Sequence, residues 1–198
     1  QRVWRKDMGM PVNQAVAYGV IAGSDRPAIV AGIGDNPLYP AIFSLPGWAP
    51  LWFRKIYNRL SVWAEGKPTW FWGTRELPAA IVALEPDTGD IRWAYKPPPF
   101  TRPASEGDED WFYDREDEDA KFHDYKIDTI CLPDDWAQAI IGGDGTTYVG
   151  HQDGRLYAVK DTNGNRIIED SEVSTYYFGH SFQGSQAIAP GMLAVTPC

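Results

Sequence analysis

Apolar and polar positions alternate most regularly between residues 136 and 169, where glycine-containing turns separate the alternating runs. The turns contain Asp144-Gly145, Asp153-Gly154 and Asn163-Gly164. Asp-Gly between alternating apolar residues is a strong hairpin signal, because glycine accepts a positive φ angle without a steric clash. The alternating runs are 137–141, 146–150, 155–159 and 166–169. The pattern therefore predicts a four-stranded antiparallel meander.

Parts of this unit recur elsewhere in the chain. The segment from Ala158 to Ile168 aligns with the segment from Ala83 to Trp93, and residues 186–195 repeat the opening of the unit 48 residues further on. A meander has no helix of its own to cover its apolar faces, so copies of the unit are expected to stack on one another. In residues 1–49, apolar runs broken by Pro-containing turns predict two or three further strands, which we interpret as a degenerate copy.

The repeated unit resembles the blade of the quinoprotein-alcohol-dehydrogenase-like β-propellers, often called the PQQ-like repeat. Blades of that family carry a tryptophan-docking motif, A-x-D-x-x-T-G-x-x-x-W, whose Trp packs between neighbouring blades. The first copy matches at Ala83, Thr88, Gly89 and Trp93, and has Glu85 at the Asp position. The second copy matches at Ala158 and Gly164, with Lys160, Asn163 and Ile168 at the Asp, Thr and Trp positions. The likeness covers about residues 78–96 and 136–198.

The resemblance implies a mainly β chain, folded as an incomplete β-propeller of two to four antiparallel blades. We expect three regions: degenerate strands in 1–49, a helical insertion with an aromatic segment in 50–75, and blade repeats in 76–198. The blade region contains an acidic insertion at 101–130. The content of 19 Gly and 16 Pro among 198 residues also favours many short strands joined by turns.

Residues 50–65 show helical periodicity, with Pro50 suited to the first helical position and Gly66 to the position after the last turn. Apolar residues fall on one side and basic residues on the other, which predicts a basic amphipathic helix. Such a helix either caps an open end of the sheet stack or contacts a partner or an anionic membrane surface. Its candidate contact residues are Trp52, Arg54, Lys55, Arg59 and Trp63.

The acidic residues concentrate in one loop, at about 101–125. Residues 106–124 contain ten acidic residues (Asp and Glu) and two basic residues (Lys and Arg), so this segment carries −8 of the net charge of −9. The alternatives are a solvated loop, a docking site for a basic partner with Trp111, Phe112 and Tyr113 as its anchor, and a calcium site. The spacing of the carboxylates lacks the pattern and the glycine of an EF-hand loop, which disfavours calcium.

The sequence contains no recognisable catalytic constellation. Three histidines, His123, His151 and His180, have no Cys or Glu at ligand spacing, and we interpret them as surface or satisfied side chains. The quinone-binding enzymes of the family carry an adjacent Cys-Cys pair and a calcium site, whereas this chain has only Cys131 and Cys198, which are either free thiols or a pair. We therefore predict no catalytic residue, no cofactor and no metal, with PQQ and calcium as the alternatives.

These observations favour a non-catalytic accessory or scaffold subunit that contacts other protein subunits in a larger assembly, with a membrane surface as a further contact. The alternatives are a fragment of a PQQ-dependent oxidoreductase and a propeller-type lumenal sensor or assembly factor. Nucleic-acid binding is disfavoured because the net charge is negative and basic residues cluster only in the predicted helix. A chain that opens on Gln1 is expected to be a processed form or a fragment, with an organellar or extracytoplasmic compartment as one candidate location.

Overall fold

The computed structural model describes most of the chain outside two long segments. The described residues are 3–12, 14–34, 50, 52, 53, 56, 78–101, 106, 135–182 and 184–197. They form ten strands in three separate sheets, and every strand pair in these sheets is antiparallel. The prediction of a mainly β chain built from antiparallel sheets is confirmed.

Sheet 1 has four strands in sequence order. They are β1 (Ala17–Val20), β2 (Pro27–Gly34), β3 (Ala79–Leu84) and β4 (Ile91–Tyr95). The N-terminal strands therefore share one sheet with the strands of the first docking motif. All six residues of β3 are buried, because this central strand is covered on both faces.

Sheet 2 repeats this arrangement. Its strands are β5 (Ile140–Ile141), β6 (Thr147–Gly150), β7 (Arg155–Val159) and β8 (Val173–Tyr177). In the β5–β6 turn, Gly145 has a φ of 80°, and the Asp144 carboxylate accepts hydrogen bonds from the Thr146 amide at 3.1 Å and from Lys160 Nζ at 2.7 Å. These bonds, that from Lys160 first, lower the pKa of Asp144 to about 2.

The fourth strand of sheet 2 is not where the sequence predicted it. Residues 166–169 were predicted as a strand, but β8 begins only at Val173, after a 3-10 helix (Asp170–Glu172). Local side-chain bonds explain the difference. Asp161 accepts from the amides of Gly164 and Arg166, and Arg166 takes a positive φ of 67°, so this stretch cannot join a regular ladder.

Glu172 completes this turn from the other side. Its carboxylate accepts from the amide and the hydroxyl of Thr162 at 2.6 and 2.8 Å and from the amides of Asn163 and Glu169. The bonds from Thr162 are the main cause of the lowered pKa of Glu172. Residues 161–172 therefore form a compact, side-chain-bonded turn between β7 and β8.

Sheet 3 is smaller than the other two. It consists of β9 (Ala187–Ala189) and β10 (Met192–Ala194), joined by a turn in which Gly191 has a φ of 73°. Among the described residues β10 pairs with β9 alone. All three sheets are open, since none pairs its last strand with its first within the described ranges.

The three sheets pack face to face through alternating residues. One apolar core lies between sheets 1 and 2 and includes Ile81, Ala83 and Trp93 from sheet 1 and Tyr157 and Val159 from sheet 2. A second core lies between sheets 2 and 3 and includes Leu156, Phe182 and Leu193. Because Tyr157 and Leu156 are neighbours in β7, the two-residue period of the strand presents one to each adjacent sheet.

At both interfaces a glycine packs against an aromatic ring. Gly32 of β2 is so close to Trp136 that an added Cβ would lie 2.4 Å from the ring, and Gly150 of β6 is equally close to Phe182. These glycines are at equivalent positions, since Gly32 is opposite Ile81 and Gly150 is opposite Leu156 in the respective ladders. Sheet 3 therefore packs on sheet 2 as sheet 2 packs on sheet 1.

Two further pairs of contacts follow the same correspondence. Gly19 of β1 packs against Ile141, and Gly142, which follows β5, packs against Ile188 of β9. The bridge between Trp136 and His151 beside sheet 2 has its counterpart in the bridge between Phe182 and Pro197 beside sheet 3. The two strands of sheet 3 thus correspond to β5 and β6.

The other face of sheet 1 is covered by the N-terminal segment 3–12. Trp4, Met8 and Met10 pack against a cluster that includes Val82 and Leu84 of β3. The amide of Gly34 donates to the carbonyl of Pro11 at 3.1 Å, which attaches this segment to the end of β2. The central strands β2 and β3 of sheet 1 are consequently covered on both faces.

We predict that Gly32→Ala destabilises the protein, because its new methyl group would overlap the Trp136 ring. Overpacking of this kind costs about 1–3 kcal/mol. The free energy of unfolding from urea denaturation measures the effect. Gly143→Ala is the matched control, since a methyl group there would meet nothing within 4 Å and the φ of Gly143 is not positive, so a change within about 0.5 kcal/mol is expected. Equal stability of the two variants would contradict the close contact.

Candidate interaction surfaces

The first docking motif forms a tight turn at the outer end of sheet 1. The amide of Gly89, with a φ of 74°, donates to the carbonyl of Glu85 at 2.8 Å, and the Thr88 hydroxyl donates to Asp90 at 2.9 Å. Ala83 and Trp93 are opposite each other in β3 and β4, and both are buried in the core between sheets 1 and 2. The motif residues thus lie together, with the Trp93 ring directed into an interface between sheets.

Glu85 holds a buried arginine. Arg92 Nε and Nη2 donate to the two carboxylate oxygens of Glu85 at 3.0 and 2.7 Å, and the same guanidinium donates to the carbonyls of Arg26 and Pro27. The Arg92 side chain is 4% exposed. The hydrogen bonds from Arg92 lower the pKa of Glu85. This bidentate pair joins the docking turn to the turn between β1 and β2.

The second docking motif lacks a tryptophan. Ala158 is opposite Ser174 in the β7–β8 ladder, so Ser174 rather than Ile168 corresponds to Trp93. Ile168 instead packs at the margin of the core between sheets 1 and 2. Gly164, with a φ of 70°, lies against Gly23 in the β1–β2 turn, where a Cβ on either residue would be in close contact with the other turn.

Trp4 was not identified by the sequence analysis. Its indole Nε1 donates to the carbonyl of Pro86 at 2.6 Å, and its ring lies on Gly89 so closely that a Cβ there would be 2.7 Å away. The first docking turn therefore binds an indole from the N-terminal segment on the side opposite sheet 2. The signal that could have found it is the glycine of the docking turn, which leaves room for a ring.

Most of the predicted partner-contact residues lie outside the described part of the chain. This applies to Arg54, Lys55, Arg59, Trp63, Trp111, Phe112 and Tyr113, and also to Cys131, Cys198 and His123. Of the predicted helix only Pro50, Trp52, Phe53 and Ile56 are described, and the Trp52 side chain is exposed. The helix stays a prediction, as do the aromatic segment and the acidic loop.

Glu106 is the only described member of the acidic cluster. Its amide donates to the carbonyl of Gln152 at 2.9 Å, its carbonyl accepts from the amide of Ser181 at 2.8 Å, and its carboxylate accepts from the Tyr177 hydroxyl. This residue is therefore attached to the end of sheet 2 beside the β6–β7 turn.

His151 is fully buried, so of the two predicted alternatives, surface or satisfied, the surface position is wrong. Its Nδ1 lies 3.0 Å from Asp153 Oδ1, whereas Nε2 has no hydrogen-bond partner among the described residues. Asp153 also accepts from the Tyr157 hydroxyl at 2.8 Å. Burial raises the pKa of Asp153, but the bonds from His151 and Tyr157 outweigh it and the pKa is lowered. His180 is exposed.

A further surface lies at the outer side of sheets 2 and 3, and we call it the open edge. It consists of the unpaired side of β10 within the described residues, Tyr176 in β8, which is 66% exposed, and Met192 in β10, which is 67% exposed on the face of sheet 3 opposite Leu193. Tyr176 contacts Phe178, whose ring in turn packs on Phe182. The open edge combines exposed apolar side chains with a strand that has one neighbour in the described part of the chain.

Neither a metal centre nor a membrane span is found in the described ranges. No group of three or more His, Cys, Asp and Glu among these residues could hold a metal ion. No helix in the same part of the chain is long and apolar enough to cross a membrane.

Comparison with models of protein families finds no matching family, and a search of curated proteins finds no similar sequence.

We predict that acid weakens the docking turn through Glu85. Because its pKa is lowered in the folded state, its stabilisation is fully present above the usual value of 4.5 and is lost as the pH falls through the lowered pKa. In Glu85→Gln the free energy of unfolding should therefore fall less between neutral and acidic pH than in the unsubstituted chain.

Arg92→Met should destabilise the protein at all pH values by about 2–4 kcal/mol, because it leaves Glu85 and two carbonyls without their donor.

Urea denaturation across this pH range measures both effects. Asp87→Asn is the control for removing one carboxylate from the same turn, since the Asp87 side chain is 84% exposed and lies 3.6 Å from its ion-pair partner Arg26. The interpretation would be wrong if Glu85→Gln and Asp87→Asn changed the acid dependence equally.

Proposed function

We propose that this chain is a non-catalytic scaffold subunit, built as an incomplete β-propeller, that assembles with other protein subunits. The observation that carries the proposal is the open edge. Within the described ranges, two four-stranded sheets are followed by a two-stranded sheet of corresponding packing, so these residues cover only part of the last interface. An exposed edge strand next to exposed apolar side chains is typical of a binding surface.

The propeller arrangement is supported by the equivalence of the two interfaces. Successive four-stranded meanders that stack face to face are the building plan of a propeller. The glycine contacts of Gly32 and Gly150 occupy corresponding positions in successive sheets. The resemblance of the docking motif around Ala83 and Trp93 to PQQ-like repeats favours the same arrangement.

Other contacts belong to the same proposal. The basic helix at 50–65 is a second surface for a partner or for an anionic membrane surface. The acidic loop, with its three successive aromatic residues, is a third. The attachment of Glu106 to the β6–β7 turn would place the beginning of that loop beside sheet 2.

The full chain, tagged and purified under mild conditions from cells that naturally produce it, tests the proposal. Light scattering after size-exclusion chromatography should give a defined mass well above 22.2 kDa, the mass of the chain, with other polypeptides in fixed stoichiometry. Met192→Lys should reduce that association, because it places a charge on the open edge. Thr175→Lys, on the exposed side of β8 that faces away from sheet 3, is the control.

A stable monomer from the native source that has no associated polypeptide would refute the scaffold function. Reduction of an artificial electron acceptor that depends on added PQQ and calcium would favour a quinoprotein oxidoreductase instead. These two outcomes are distinguished by the same preparation, since activity is measured on the fraction used for the mass.

A further inference from the structure

The N-terminal segment 3–12 covers the outward face of sheet 1 but forms none of its strands. Near the start of the segment, the Trp4 indole donates to the carbonyl of Pro86 at 2.6 Å. Near its end, the carbonyl of Pro11 accepts from the amide of Gly34 at 3.1 Å. Among the described residues these are the two hydrogen bonds that join the segment to sheet 1, so its middle is held by other contacts.

The middle of the segment is held by two thioether side chains. Met8 and Met10 are half-buried against an apolar cluster of β2 and β3, whereas Asp7, Gly9 and Pro11 are exposed. The residues of this cluster are 1–5% exposed and comprise Ala31, Ile33, Ala80, Val82 and Leu84. A methionine side chain is flexible and apolar, so it can pack on such a surface from an exposed backbone. The attachment of residues 7–12 therefore depends on the apolar character of two methionines.

The apolar cluster cannot hold an oxidised methionine in the same place. A hydroperoxide transfers one oxygen atom to the thioether sulfur: the S=O bond of a sulfoxide forms, the O–O bond breaks, and water or an alcohol leaves. The sulfur loses the two electrons that the peroxide gains. A sulfoxide oxygen needs a hydrogen-bond donor, and the alanine, isoleucine, valine and leucine side chains of the cluster have none. The sulfoxide is therefore more stable in water than against β2 and β3.

The start of the segment is held by contacts that contain no thioether. The Trp4 ring lies on Gly89 in the same turn that accepts its indole N–H. Lys6 Nζ lies 3.7 Å from Asp90 Oδ1, which belongs to that turn as well. The first docking turn therefore holds residues 3–6 whether or not the methionines are oxidised.

We propose that Met8 and Met10 form an oxidation-sensitive site, at which a hydroperoxide converts both thioethers to sulfoxides and thereby releases residues 7–12 from sheet 1. Trp4 stays bound to the docking turn, so reduction of the sulfoxides restores the cover. In that reduction two thiols become one disulfide and the sulfoxide oxygen leaves as water. Oxidation thus changes the outward face of β2 and β3 from covered to exposed. The inference does not depend on the proposed scaffold function, since it concerns contacts within the chain.

The third methionine of the sequence supplies an internal reference. Met192 lies in β10 of sheet 3 and is 67% exposed. It should be oxidised at least as fast as Met8 and Met10, because its side chain is more accessible to the peroxide. Its oxidation should have no effect on the segment 3–12, which lies on sheet 1.

The first experiment treats the full chain with hydrogen peroxide until peptide mass spectrometry shows one added oxygen on each methionine. The amide of Gly34 should then exchange at least about tenfold faster, because its acceptor on Pro11 moves away. The amides of β6 and β7 should exchange as before. The indole N–H resonance of Trp4, identified by its loss in Trp4→Phe, should keep its chemical shift. Methionine sulfoxide reductases with a dithiol should return the Gly34 exchange to its original rate.

The second experiment uses matched variants. Met8→Leu combined with Met10→Leu keeps apolar side chains at both positions, and peroxide should leave its Gly34 exchange unchanged although Met192 is oxidised. This variant also keeps both cysteines of the sequence, so it controls for oxidation of thiols. Met192→Leu should respond to peroxide as the unsubstituted chain does. Met8→Gln combined with Met10→Gln should show the faster Gly34 exchange without peroxide, because it places polar groups against the cluster.

Three results would each overturn the proposed site. The first is unchanged exchange of Gly34 in a chain that carries sulfoxides at both Met8 and Met10. The second is faster exchange of Gly34 in the leucine variant after peroxide treatment, or an acceleration that extends to β6 and β7 and so indicates general unfolding. The third is resistance of Met8 and Met10 to peroxide under conditions that oxidise Met192 completely.

Discussion

The close contact between a glycine of one sheet and an aromatic ring beside the next determines how the sheets stack. Trp136 lies directly on the backbone at Gly32, and Phe182 lies on the backbone at Gly150. No side chain larger than hydrogen fits at these positions without displacing the ring. The same ring also fixes the lateral position of its sheet, because the Trp136 indole donates to the carbonyl of Ile33 at 3.1 Å. The burial of Ile81, Val149 and Tyr157 between the sheets depends on this spacing.

Polar contacts then determine the geometry of the turns at the outer ends of the sheets. In sheet 1 the turn is held by a guanidinium that reaches Glu85 and two carbonyls of the neighbouring turn. In sheet 2 the corresponding turn is held by Asp161 and Glu172, which accept bonds from nearby amides. The hydrogen bonds in sheet 1 connect two separate turns, whereas those in sheet 2 stay within one turn. The longer connection between β7 and β8 follows from that local bonding.

The sequence predicted the parts of the fold that depend on local signals. Asp-Gly turns lie next to the strands that they join, so β6 and β7 were placed within one residue of their observed bounds. The pairing of β2 with β3 has no local signal, because residues 35–78 separate the two strands. The strand predicted at 166–169 failed because the apolar pair Ile167-Ile168 resembles a strand, while Asp161 and Glu172 hold the backbone in a turn.

The predicted docking motif was informative about which residues lie together but not about every ring that uses it. Ala83 and Trp93 lie opposite each other in one interface and Gly89 lies in the turn between their strands, as the spacing of the motif implies. The sequence pattern does not identify the acceptors of Trp4 and Trp136, because the carbonyls of Pro86 and Ile33 are 82 and 103 residues away in the chain. The candidate contacts on the helix and the acidic loop lie outside the described residues and stay predictions.

The two ends of the stack differ in a way that bears on assembly. At sheet 1, the indole of Trp4 and the side chains of Met8 and Met10 cover the outward face, and the segment that carries them is exposed on its other side. At sheet 3, both strands are mostly exposed and β10 keeps one side unpaired within the described residues. Among the described residues, the unpaired strand and the exposed apolar side chains beside it therefore lie at the sheet 3 end of the stack. Under the proposed function, this asymmetry would give the assembly a direction, with the partner bound on the side of β10.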